Sequence, residues 1–260
     1  MIIEIQKPPR QKDFKMKSEK AKHEIEFGKV LAQSAPEEIW GWGTPAGKLR
    51  AIRRAKLIIK HAEIDHTTSV LEIGCGNGNF TREFAKSGAE IIALDISPEL
   101  INLAKANSTY DENQVQFICA QFEDHPFPEL LDAIIGSSVL HHLEISNSLK
   151  KIFSLIKPGG KVVFAEPNML NPQVFLERTI LRNFLSYVTP DETAFIKNKI
   201  EKQLGELGFT NIVVFAFDWL HPATPTSMLS AVGALGKVFE NTPGVREFAG
   251  SLLIAAQKPE

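Results

Sequence analysis

Two periods of hydrophobic spacing alternate along this chain, and the switches between them outline a fold. From residue 69 onward, short apolar runs recur at 69–73 (SVLEI), 90–94 (EIIAL), 115–120 (VQFICA), 132–136 (DAIIG) and 161–166 (KVVFAE), with amphipathic or polar stretches between them. Strand-length runs separated by helix-length patterns predict βαβ units and a mostly parallel, doubly wound α/β sheet. Helix starts are marked chemically. Ser97 can cap a helix with Pro98 at its first position and Leu100, Leu103 and Ala104 facing inward. Ser146 can cap a second, whose Leu149, Ile152, Phe153 and Ile156 face the sheet before 157–160 (KPGG) ends it.

The flanking segments read differently. From Lys7 to Lys29 the chain is rich in Lys and Glu, the composition of a solvated arm or exposed helix. Over 37–62, a Trp/Gly turn containing Trp40, Gly41, Trp42 and Gly43 precedes an amphipathic helix with Leu49, Ile52, Ala55, Ile58 and Ile59 at helical spacing. After Pro167 a partly apolar helical insertion replaces the alternation. Thr189-Pro190-Asp191-Glu192 then offers a cap, a first-turn proline and an acidic residue for a helix carrying Ile196, Ile200, Leu204 and Leu207 and ending at Gly208. Two last strands, 211–217 (NIVVFAF) and 251–257 (SLLIAAQ), make seven. Between them Met228, Leu229, Val232, Leu235 and Phe239 form one helical stripe, whose default place is the core; a substrate roof, a homodimer contact or a membrane-surface face are the other readings. The organisation expected is an N-terminal arm and helical cap over 1–66 and one catalytic domain over 67–260, with insertions near 169–190 and 218–249 as a substrate lid.

Composition narrows the partners. The chain has 260 residues, 43% hydrophobic and 23% charged, with a net charge of −2, so no global charge draws it to nucleic acid or anionic membrane. Only Cys75 and Cys119 are present, too few for a disulfide framework or a cysteine-rich metal site, and a reducing cytoplasm fits. Neither a signal peptide nor a transmembrane run is evident. A small-molecule partner is the expectation.

The most informative segment is 70–80 (VLEIGCGNGNF), a strand running into Gly74, Gly76 and Gly78 and then a helical pattern. Glycines there let the backbone turn tightly and let a nucleotide-type ligand approach the main chain. The dinucleotide spacing G-x-G-x-x-G is broken, since Asn79 stands where its last glycine would fall, which disfavours NAD and FAD. Asp95 ends the second strand about 20 residues on, where a carboxylate can accept hydrogen bonds from both ribose hydroxyls of an adenosine.

Strand-E-x-G-x-G-x-G followed by strand-D resembles the class I S-adenosylmethionine-dependent methyltransferases, in particular the small-molecule branch that includes ubiquinone and menaquinone methylases. The likeness covers residues 68–167 and, more loosely, the last two strands. It implies S-adenosyl-L-methionine as cofactor and a small-molecule acceptor. It also implies roles for individual residues: Glu72 near the methionine ammonium; Gly74, Cys75, Gly76 and Gly78 in the cofactor loop; Asp95 on the ribose and Ile96 on the adenine. In 117–128 (FICAQFEDHPFP) it implies Gln121 and Phe122 as adenine readers, with Glu123 as the alternative. In 136–143 (GSSVLHHL) it places Ser137 near the methionine and His142 at the mouth of the substrate pocket.

Methyl transfer is an in-line displacement from an activated sulfonium, so alignment and water exclusion come first and a base is needed only for a protonated acceptor. His141 and His142, at the C-terminal end of a strand, and Glu166, at the end of the fifth, are the base candidates. Adjacent histidines on a strand or loop diverge, so no metal is expected on them. Trp40 and Trp42 could close over cofactor or acceptor, and Phe175, Leu176, Phe184 and the late stripe offer apolar lining for a partly apolar acceptor; O- or C-methylation is expected ahead of N-methylation. The rivals are an NAD-dependent oxidoreductase, disfavoured by the missing glycine; a binding protein of the same fold without chemistry; and an RNA- or protein-directed N-methyltransferase, disfavoured because GSSV replaces the N-P-P-Y type of motif.

Overall fold

A computed structural model describes residues 19–180 and 194–260 apart from Thr109 and Glu112. The Thr189–Glu192 cap, Phe184 and residues 1–18 lie outside the described residues. Seven strands form one sheet: β1 (Ser69–Ile73), β2 (Glu90–Asp95), β3 (Val115–Cys119), β4 (Leu131–Ser137), β5 (Ile156–Pro167), β6 (Thr210–Phe217) and β7 (Ser251–Gln257), in the order β3-β2-β1-β4-β5-β7-β6. The first five run parallel, while β7 is antiparallel to both β5 and β6.

The described helices are α1 (Glu19–Ala32), α2 (Pro36–Ile39), α3 (Pro45–Ala62), α4 (Thr81–Phe84), α5 (Pro98–Ala106), α6 (Ile145–Leu155), α7 (Pro172–Thr179), α8 (Lys197–Glu206) and α9 (Leu229–Asn241). They cover both sheet faces. Alternate residues of β5 serve opposite sides, as strand pleating requires: Val162 and Phe164 meet Leu149 and Ile152 of α6, while Val163 and Ala165 belong with Ala55 and Ile58 of α3 and Phe84 of α4. With both faces buried, the strand text is a continuous apolar run instead of an alternating one.

Several boundaries depart from expectation for local reasons. Ser97 does cap α5, accepting from Leu100 N, but α6 begins one residue before Ser146, with Glu144 at its N-cap and no side-chain cap bond. Ile156 leaves the helix and pairs with Leu131 as the start of β5. Helix α8 is preceded by Ile196 at its N-cap, and Leu207 lies just past its end. Helix α3 turns a face of small residues, Ala46, Gly47, Ala51, Ala55 and Ala62, toward the interior together with Ile58, leaving Leu49 and Ile52 exposed. Small side chains let a helix lie close to the sheet, and that closeness carries Arg54 into the interior at 2% exposure. The late stripe on α9 is not core either: Gly236 is its one buried residue, and Met228 and Leu235 are each 51% exposed. Among the described residues no helix is long and apolar enough to cross a membrane.

Candidate active site

The strand order reverses between β1 and β4, which is where a doubly wound sheet opens a crevice beyond the carboxyl ends of its strands. A cavity of about 690 Å³ lies there. It is lined by the loop after β1, by Asp95 and Ile96 after β2 and by Gln121 and Phe122 after β3, and also by Arg50 and Arg54 of α3, residues of α7 and the segment 218–222.

The glycine loop is shaped by its backbone. Gly74 and Gly76 take φ of 71° and 54°, and a Cβ on Gly74 would lie 2.4 Å from Val139 Cγ2. The amides of Gly74 and Cys75 both donate to Leu94 O, which anchors the loop to β2. Gly74, Cys75 and Gly76 face the cavity, whereas Gly78 does not: it takes φ of 81° and packs on Ala104 of α5, so its part is to close the turn. Burial pushes the Cys75 thiol far up, which makes it an inert wall.

Asp95 is held by both oxygens. Oδ2 accepts from Gly76 N at 2.8 Å and Oδ1 from Ser97 N at 2.9 Å, which leaves each oxygen a further lone pair at the cavity wall. Burial raises its carboxyl above the usual range, partly offset by those two amides. Glu72 lies beneath the loop, 2% exposed, and is pushed up to about 8 by burial with the charge of Asp95 adding to it. It does not line the cavity, and its Oε2 has no hydrogen-bond partner. Phe122 and Gln121 are buried at the wall, with Gln121 Oε1 unpartnered, while Glu123, also at the wall, accepts from Ser148 Oγ and Glu144 N through Oε1.

Beyond β4 the backbone turns through Ser138 at φ 56°, and the next two amides, Val139 N and Leu140 N, both donate to Glu166 Oε1 at 2.9 Å. Glu166 Oε2 takes His141 Nδ1 at 2.6 Å. Glu166 is fully buried and does not reach the cavity, which corrects its place among the base candidates: it fixes the β4 turn and the His141 ring. Burial would raise its carboxyl, but the charge and hydrogen bond of His141 with the two amides outweigh this and hold it below the usual range. His141 is itself buried, while His142 sits at the rim with its ring centroid 4.1 Å from that of His141.

The most telling residue was illegible in the helix pattern. Arg54 Nη1 donates to Ser137 Oγ at 3.2 Å, Ser138 Oγ at 3.0 Å and Ala165 O at 3.2 Å; Nη2 reaches Ser251 Oγ, and Nε has no partner. All its partners are neutral oxygens, so a buried guanidinium at the cavity wall has no carboxylate bonded to it; burial lowers its value to about 10. Arg50 is already paired with Asp218 at 2.8 Å. The Trp42 ring lies 5.2 Å from the Arg54 guanidinium and edge-on to Phe80, and Trp40 comes up to Gly76. This Trp turn is seated on Gly47, where a Cβ would lie 1.9 Å from Gly41 O. Gly47→Ala is therefore expected to destabilise the protein by about 1–3 kcal/mol through overpacking, measured by urea denaturation.

On the far side Val174 and Glu177 face the cavity, while Phe175 and Leu176, expected as lining, point outward at 50% and 40% exposure. Gln121 Oε1, Asn79 Nδ2, Trp219 Nε1 and Arg54 Nε are buried polar atoms without partners in residues that line one cavity. Such a set calls for a polar ligand. An adenosine joined to an amino acid would fit such a set, and Asp95, Ile96, Gln121, the Gly74–Gly76 backbone and Arg54 are the residues that would hold it.

The fold and this crevice are like those of the class I S-adenosylmethionine-dependent methyltransferases, and the relatives support that class. The family described as Methyltransferase domain matches residues 71–164, which spans β1 to β5. Curated relatives include the ubiquinone biosynthesis O-methyltransferases of Xanthomonas axonopodis pv. citri, 26% identical over 69% of this chain and 75% of that protein, and of Coxiella burnetii, 28% identical over 70% and 81%. Solved structures of the same fold include the N-methyltransferase NodS of Bradyrhizobium japonicum with S-adenosylhomocysteine, at TM-score 0.60 and 17% identity over 91% of this chain and 98% of that one. The methyltransferase bound to the Haloferax volcanii Trm112 activator superposes at TM-score 0.67, with 19% identity over 91% and 99%.

Proposed function

We propose that this protein transfers the methyl group of S-adenosyl-L-methionine to an oxygen of a small, partly apolar acceptor, with O-methylation ahead of C-methylation. The observation that carries the reading is that one crevice is lined both by Asp95, with a lone pair left on each oxygen, and by Arg54, a buried cation hydrogen-bonded to no carboxylate. Asp95 binds the ribose, Ile96, Gln121 and Phe122 the adenine, and the Gly74–Gly76 backbone the methionine, with Ser137 beside it and Arg54 on its carboxylate. Glu72 faces the cofactor's ammonium through the loop. The cofactor supplies an activated methyl on a sulfonium; the chain's part is to align an acceptor oxygen with it, keep water out and take a proton.

Acceptor space is then bounded by Trp42, Val174, Trp219 and Leu220, an apolar lining with polar edges, and the described segments 169–180 and 218–249 act as its lid. His142 is the base. The names of the curated relatives favour an oxygen acceptor. Calorimetric titration of S-adenosylhomocysteine, followed by a screen of phenols and catechols for methyl ethers, tests this; binding without transfer to any hydroxyl compound would leave a cofactor-binding protein instead of an enzyme. Arg54→Met is expected to weaken S-adenosylhomocysteine about tenfold or more, the worth of one hydrogen bond between charged groups. An analogue lacking the methionine carboxylate should bind wild type and Arg54→Met alike, and an equal loss for both ligands would remove Arg54 from this role.

A further inference from the structure

The turn after β3 carries Gln121 and Phe122 to the cavity, and two other elements hold it. Ala120 N donates to Asp95 O at 2.9 Å, which ties the turn to β2. It closes on itself where Asp124 N and His125 N donate to Gln121 O at 3.2 and 3.1 Å. The second hold comes from α6. Leu149 and Ile152 of that helix belong to the core, and beside them Ser148 and Lys151, three residues apart on one face, reach the turn. Ser148 Oγ donates to Glu123 Oε1 at 2.8 Å. Lys151 Nζ donates to three backbone oxygens: Phe122 O at 2.7 Å, Glu123 O at 3.0 Å and His125 O at 2.7 Å.

An ammonium has three donors and no acceptor, so those three bonds use it fully. Its charge also stands 5.2 Å from the centre of the Phe122 ring and 5.5 Å from that of Phe127, a cation–π contact with each. Lys150, its neighbour on the helix, is exposed. Three carbonyl dipoles that converge on one point repel one another unless a cation sits between them. The ammonium is therefore what keeps this turn in its present shape.

We propose that Lys151 is the positioning residue for adenine recognition: by gathering the carbonyls of residues 122, 123 and 125 it fixes the turn so that Gln121 Oε1 and the Phe122 main chain are presented to the base. The inference rests on the reading of Gln121 given above and names what holds it. Gln121 Oε1 is buried without a partner, and a hydrogen bond from the adenine amino group to it weakens steeply with misalignment. Lys151 itself does not line the cavity, so it acts through the turn. The ribose side stands apart from it, because the Asp95 carboxylate is set by Gly76 N and Ser97 N. Loss of Lys151 should thus be felt at the base and not at the sugar or the amino acid.

The test is calorimetry on the full chain with two ligands, S-adenosylhomocysteine and the analogue whose purine lacks the 6-amino group. Wild type should prefer the amino form by about tenfold, the upper worth of one neutral hydrogen bond. Lys151→Met keeps an unbranched apolar stem and removes the three donors. It should bind S-adenosylhomocysteine about tenfold more weakly and the analogue nearly as wild type does, so that the preference disappears. A residue that only stabilised the fold would weaken both ligands alike. Lys151→Gln, which retains two N–H donors, should fall between, and it supplies the same comparison if Lys151→Met does not fold. In Lys151→Ala the missing atoms correspond to n-propylammonium, which should restore the preference, whereas tetramethylammonium, with no N–H, should not. A preference kept in Lys151→Met, or an equal loss for both ligands, overturns the assignment of Lys151. A wild type that binds both ligands equally overturns the reading of Gln121 beneath it.

Discussion

Asp95→Ala is expected to lower the affinity for S-adenosylhomocysteine by about a hundredfold or more, because the ribose loses two hydrogen bonds to a charged acceptor at about 1.5–3 kcal/mol each. The same change frees Gly76 N and Ser97 N, so part of the loss comes through the loop. Asp95→Asn separates the two contributions, since one amide oxygen can still take Gly76 N. Calorimetry on both variants at neutral pH is the measurement. A wild-type affinity in Asp95→Ala would move the adenosine elsewhere. The pH dependence has a definite sign. Burial raises the Asp95 carboxyl, and the ionised form is the one that accepts from both hydroxyls, so affinity should fall as pH drops through that raised value.

Glu166→Ala is expected to be the most destabilising single change at the site. It leaves His141 buried without its carboxylate and two amides, Val139 N and Leu140 N, without acceptors. Breaking a buried pair by removing one partner costs about 3–5 kcal/mol, a large share of the roughly 5–15 kcal/mol that holds a protein folded. A fall in melting temperature on the order of 10 °C follows for a chain of this size. Glu166→Gln, which keeps an acceptor for the amides, should lose less. The wild type carries a related signature: Glu166 is held below the ordinary glutamate range, so its stabilisation is present above that range and is lost as pH falls through the depressed value. Acid unfolding of wild type and Glu166→Gln should therefore differ below about pH 4.5, with the variant the less pH-sensitive.

Much of this molecule could be read from its text, for reasons that differ by element. The five parallel strands were legible because burial on both faces turns each into a short apolar run, and the cofactor loop because Gly74 and Gly76 stand where the backbone needs positive φ. Asp95 was legible from its place at a strand end. Arg54 was not: an apolar-stripe reading of α3 favours Leu49 and Ile52, and only the run of Ala and Gly at 46, 47, 51, 55 and 62 signalled that the helix would press a different face on the sheet. The contact of Glu24 on α1 with His142 Nδ1 had no local signal at all, because it is made across 118 residues. Glu166 was visible as a strand-end carboxylate, but whether it faced solvent or the turn depended on Ser138 bending the chain toward it.

The position of β7 between β5 and β6 sets an order of assembly. β6 leaves the ribosome before β7 yet has no edge to pair with until β7 has docked on β5, so on a growing chain residues 210–217 must wait. The strands β1 to β5 can make their pairings with one another earlier, leaving β5 with one open edge for β7. Ser251, the first residue of β7, bonds the Arg54 guanidinium, so the late strand also supplies a contact that fixes α3 against the crevice. A nascent chain stalled before β7 would hold its glycine loop in place and its arginine unmoored, competent at most to cradle an adenosine.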